Sequence, residues 1–126
     1  MNFPNDLYYS KEHTWLKVEG NIGIVGITEF AQSELGEIVY VEQPRVGQTF
    51  KADEIFGSVE AIKTTSDLFM PITGKVIEIN AALVKEPELV NSSSFEMGWM
   101  IKIEIINSLE LNSLLLYEKY KEFTGF

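Results

Sequence analysis

The chain has 126 residues, a net charge of -9, one arginine (Arg45), one histidine (His13) and no cysteine. A chain of this length fits one domain, 1–126, and buries roughly two-thirds of the surface its unfolded form exposes. The absence of cysteine rules out disulfides and thiolate metal sites, one histidine leaves little for an imidazole-based metal site, and the acidic balance argues against nucleic acid and anionic membranes as partners.

A hydrophobic fraction of 45% describes a folded globular domain. Met1 to Asp6 carries no basic start and no long apolar run, so it reads as neither a secretory signal nor a transit peptide. No stretch approaches the length of a membrane span, and the cytoplasm is the expected location. The acidity has two readings, solubility and electrostatic steering toward basic partner surfaces.

In chain order, 13–18 and 22–27 are β-prone runs around Glu19-Gly20-Asn21, which predicts a hairpin. From Thr28 the pattern changes. Thr28 can cap a helix, Ala31 and Leu35 share a face, and Gly36 can close it, predicting a short helix. Residues 36–42 (Gly-Glu-Ile-Val-Tyr-Val-Glu) and 74–80 (Gly-Lys-Val-Ile-Glu-Ile-Asn) share a glycine start and a β-branched run. Strand alternation places Val39 with Val41, and Ile77 with Ile79, on one face. Two similar β halves would produce such a pair, and so would chance.

Between them, 55–61 and 68–70 read as strands, with a turn over the polar segment 63–67. Residues 86–90 predict one helical turn with Pro87 at its first position. Alternation of Trp99, Ile101, Ile103 and Ile105 with Met100, Lys102 and Glu104 predicts a half-buried strand. Asn107-Ser108-Leu109-Glu110 has the pattern of a capping box. Leu111, Leu114, Leu115 and Tyr117 follow at helical spacing, which predicts a C-terminal helix.

Catalytic candidates are few. His13 has no nucleophile motif beside it. Ser92 to Ser94 lack the glycine elbow of a hydrolase. Gly20, Gly23 and Gly26 fall in a hairpin and not before a helix, so they are no phosphate loop. The expectation is a protein that is not an enzyme and holds no metal. Lys63 is expected in a turn between strands, with its amine exposed. Most such lysines are simply solvated, and only the surrounding sequence raises this one above the other eight.

Glu60-Ala61-Ile62-Lys63, then Thr64-Thr65-Ser66-Asp67 and Pro71-Ile72-Thr73-Gly74, resembles the lipoyl-attachment hairpin of the glycine cleavage H proteins. Upstream, 26–32 and 35–41 resemble that family's helix and following strand. Downstream, 87–91 and 98–102 also match, so the resemblance runs from about Leu7 to Tyr120. Ile62 and Thr64 flank the lysine where biotin carriers have methionines, which favours lipoyl. Gly47 and Gly74 match flanking glycines of the family. His13-Thr14-Trp15 departs from its usual His-Glu-Trp, and Phe30 stands where a histidine is common.

The resemblance implies a mostly β barrel-sandwich hybrid, lipoyl-domain-like, of two small sheets with a short helix and a C-terminal helix. It implies lipoate bound covalently to Lys63, and Glu60 as a recognition residue for the lipoate ligase or lipoyl/octanoyl transferase. It implies a carrier that takes an aminomethyl group from glycine decarboxylase (P protein) to aminomethyltransferase (T protein), and electrons to dihydrolipoamide dehydrogenase (L protein). Glu12 and Thr14 become candidates for holding the loaded arm, Thr14 standing where the family has a carboxylate and Glu12 two residues earlier on the same side of an extended strand. Two alternatives stay open: a platform that donates lipoyl groups to other complexes, and an unmodified β-rich binding module.

Overall fold

Alternating and β-branched runs fold here into nine strands in two antiparallel sheets, in a computed structural model that describes residues 1–126. The strands are β1 (Tyr8–Tyr9), β2 (Thr14–Glu19), β3 (Ile22–Ile27), β4 (Ile38–Glu42), β5 (Thr49–Phe50), β6 (Ile55–Ala61), β7 (Thr65–Phe69), β8 (Gly74–Ile79) and β9 (Ile101–Ile105). The larger sheet has the order β1-β2-β3-β9-β8-β5 and the smaller β4-β6-β7. Both are open, so the expected two-sheet sandwich forms without a closed barrel. Leu16, Val25, Ile38, Val59, Met70, Ile72, Val76, Ile101 and Ile103 fill the main core, each nearly or fully buried.

The expected hairpin is β2–β3, and Gly20 turns it with a φ of 62°. Gly23 and Gly26 serve packing, since a Cβ at Gly26 would press on the Trp15 ring at 2.7 Å. The first helix, α1 (Glu29–Leu35), starts where expected: Thr28 accepts a hydrogen bond from the Ala31 amide. Gly36 closes it with a φ of 84°. Ala31 and Leu35 pack on the core from this helix.

The paired motifs at 36–42 and 74–80 prove alike in a way that strict alternation hides. Each carries an irregularity at the equivalent place, between Ile38 and Tyr40 in β4 and between Val76 and Glu78 in β8. A bulge adds one residue and flips the phase of the side chains. Ile38 and Val76 therefore point inward, while Val39 and Ile77 face solvent. The expectation that Val39 shares a face with Val41, and Ile77 with Ile79, is corrected on this ground.

Two short helices, α2 (Ala82–Lys85) and α3 (Leu89–Ser92), replace the single turn expected over 86–90. Pro87 lies before the second and not at its first position. Asn91 of α3 links three elements: its amide donates to Gln32 and the Gly36 carbonyl, and its oxygen accepts from the Ile38 amide.

The C-terminal helix is shorter than expected. Residues Ser108–Ser113 form a 3-10 turn, 114–116 run extended, and α4 spans Tyr117–Thr124. Asn107 does accept from the Leu109 amide. Glu110 does not complete a capping box, because its carboxylate accepts from the amide and hydroxyl of Thr73 at 2.7 and 3.0 Å. Leu115 leaves the helical path to exchange two backbone hydrogen bonds with Tyr9 at the sheet edge.

Candidate functional site: a hairpin lysine beside an acid-rimmed cleft

β6 and β7 pair in register from Ser58 opposite Asp67 to Glu60 opposite Thr65. The Ala61 amide then donates to the Thr64 carbonyl at 2.7 Å, which leaves Ile62 and Lys63 as a two-residue tip. The turn expected over 63–67 is thus narrower, and Thr65, Ser66 and Asp67 belong to a strand. The tip is also tied sideways, since the Ile62 amide donates to the Glu37 carbonyl at 3.2 Å. Only His13 and Asp53 among non-glycine residues have positive φ, so Lys63 carries no left-handed strain. Lys63 is exposed and forms no ion pair.

Glu60 is exposed on the outer face of the small sheet, between Tyr40 of β4 and Thr65 of β7. The hairpin therefore brings Glu60 and Lys63 to the same end of the sheet.

A cleft of about 360 Å³ opens between the free edge of β7, the helix α1 and the start of β2. Ile27, Phe30, Leu35, Val59 and Leu68 supply its apolar wall. Glu12, Glu34 and Asp67 bring three carboxylates to it, all on exposed residues. Glu12 and Thr14 both line it, though for a different reason from the one expected. β2 starts only at Thr14, and His13 has a φ of 68°, so Glu12 is in a turn and strand alternation does not apply to it. Thr14 is almost fully buried and its hydroxyl is already hydrogen-bonded to Ser10 at 2.6 Å.

His13 closes one end of the cleft. Its Nδ1 lies 2.9 Å from the Tyr120 hydroxyl, which lies 2.7 Å from the hydroxyl of Thr28. Its ring packs 4.9 Å from that of Phe30. Burial holds the imidazole below its usual pKa, against the opposing pull of Glu12 and Glu34. Burial pushes the Tyr120 phenol up to about 12, and its hydrogen bond to Thr28 works in the opposite direction. Phe30 is singled out by the sequence as a departure that bears on the arm, whereas Glu34 and Asp67 are not expected beside it, because they converge with it only when α1 crosses the β7 edge. The one local signal is Ser66-Asp67, polar residues close to the lysine.

Two open antiparallel sheets, an exposed lysine on a tethered two-residue turn and a carboxylate-rimmed cleft at the β7 edge define a small β-sandwich protein. The chain belongs to the glycine cleavage H-protein family, whose pattern matches residues 7–125. It is 54% identical over 125 residues to the glycine cleavage system H protein of Bacillus cereus (strain AH187), covering 99% of this chain and 98% of that one. The H protein of Bacillus mycoides (strain KBAB4) is 53% identical over the same length. The crystal structure of an H protein from Mycobacterium marinum superposes with a TM-score of 0.87 at 32% identity, covering 98% of this chain and 99% of that one.

Proposed function

We propose that Lys63 holds a lipoyl group in amide linkage and that the protein is a carrier of glycine cleavage. In this reading it conveys an aminomethyl unit from glycine decarboxylase to aminomethyltransferase, and electrons to dihydrolipoamide dehydrogenase. The observation that carries the reading is the exposed, tethered tip that presents Lys63. Family membership favours glycine cleavage over a lipoyl-donating platform.

The residues fit such a group. A two-residue tip keeps the amine clear of the sheet, so an enzyme's active site can close around it. Glu60, on the same hairpin, gives the lipoate ligase or lipoyl/octanoyl transferase a carboxylate by which to choose this lysine. When bound, the group supplies a disulfide that opens to a dithiol, and the hard chemistry lies there and in the partner enzymes. The chain's own part is to position and to shelter. The apolar wall of the cleft suits an aliphatic chain, and its carboxylates suit a cationic amine. Glu12 and Asp67 are the carboxylates assigned to that amine. Thr14 forms wall, since its hydroxyl is committed to Ser10.

The test is reconstitution. The lipoylated chain, mixed with the three partner enzymes, is expected to support glycine-dependent NADH formation. Lys63→Arg is expected to abolish it. Undiminished NADH formation with Lys63→Arg would overturn the proposal.

A further inference from the structure

The small sheet carries no cation on any of its strands, yet the row of its outer face nearest the lysine tip pairs an aromatic ring with a free carboxylate. Tyr40 lies directly across from Glu60, and Glu60 from Thr65, so the three form one row over β4, β6 and β7. All three are exposed, and Tyr40 keeps 52% of its surface. Tyr40 and Glu60 have no side-chain hydrogen bond or ion pair within the protein, where only three ion pairs form in all. The next row is Glu42, Ser58 and Asp67. Beside the tip, Ile62 is 67% exposed.

Half-exposed aromatic surface next to an unpaired carboxylate is the complement of a guanidinium, which stacks on a ring while pairing with a carboxylate. We infer that Tyr40 and Glu60 together form a seat for one arginine of the enzyme that acylates Lys63. The inference rests on the reading of Lys63 as the modified residue. The occupant follows from charge and continuity: the seat is anionic and aromatic, and it lies on the hairpin that ends in the amine the enzyme must reach. The seat acts by docking the hairpin on the enzyme, to the same extent before and during the reaction, in which the Lys63 amine attacks the activated acyl carbon, loses a proton and expels the donor's leaving group. Tyr40 in this sense binds the enzyme and touches none of the reacting atoms.

The experiment follows lipoylation of the unmodified chain by a lipoate ligase with lipoate and ATP, read by intact mass over time. Tyr40→Ala and Glu60→Gln should each lower the rate at subsaturating chain about tenfold, through KM with kcat preserved. Tyr40→Phe should keep the wild-type rate, because the ring is what is used. The double variant should lose less than the product of the single losses, as one bound arginine serves both. Glu42→Gln, one row away, should change little. A wild-type rate for Tyr40→Ala, a loss in Tyr40→Phe equal to that in Tyr40→Ala, or an equal loss in Glu42→Gln would overturn the seat. So would independent losses in the double variant. Circular dichroism of each variant separates these outcomes from misfolding. If the wild-type chain itself is not modified, the reading of Lys63 fails instead.

Discussion

His13 is the only histidine, so titration between pH 7.5 and 5.5 reports on it with little interference. Its pKa is lowered in the folded protein, chiefly by burial. The unfolded chain therefore takes up the proton more readily. The stability due to the neutral ring is fully present above the unfolded pKa near 6.5 and is lost as pH falls through it toward the folded value. Thermal melts should show the midpoint falling from pH 7.5 to 5.5, and His13→Asn should flatten that dependence. Asparagine tolerates the left-handed backbone at this position. An equally steep dependence in the variant would show that another group is responsible. At the cleft, Glu12 and Asp67 hold the loaded amine in the proposed carrier. Exchanging a charge-assisted for a neutral hydrogen bond costs on the order of 1 kcal/mol, roughly fivefold in rate. Glu12→Gln and Asp67→Asn should accelerate formaldehyde release from the glycine-loaded protein by about that factor. Unchanged release in both would show that the amine is held elsewhere.

Local signals decide some elements and tertiary demands decide others. The β2–β3 hairpin and α1 are legible because a turn glycine and a capping threonine act over a few residues. The bulges in β4 and β8 are not, because a bulge is defined against a partner strand that the sequence does not reveal. The C-terminal segment misleads for a related reason: Leu111, Leu114 and Leu115 have helical spacing, but Tyr9 offers Leu115 a backbone partner. Glu110 likewise serves Thr73 in place of its own helix end. The lysine hairpin depends on another long-range contact. Gly57 in β6 sits beneath the carbonyl of Glu42, and a Cβ there would collide with that oxygen. Gly57→Ala should therefore cost roughly 1–3 kcal/mol, the usual range for overpacking. Urea unfolding measures it, and a loss well below that range would show that β4 yields without strain.

At the scale of the whole molecule, the site is unevenly legible in the sequence. The placement of Lys63 and Glu60 on one hairpin can be read, because one short segment contains both. The cleft is legible only in part: Glu12 and Thr14 are expected together, but Glu34 and Asp67 come from other segments that meet them only in the folded chain. Composition still bounds the outcome, since a chain with no cysteine forms no disulfide and no thiolate metal site. Two open sheets share one core, and the smaller projects the β6–β7 hairpin at the edge of the cleft.

One lysine of nine is proposed to be modified, and intact mass after incubation with a lipoate ligase, lipoate and ATP tests this most directly. The predicted result is a gain of one lipoyl group, mapped to Lys63 by peptide analysis and absent in Lys63→Arg. A lipoyl group on another lysine, or no gain under conditions that modify a known lipoyl domain, would contradict it.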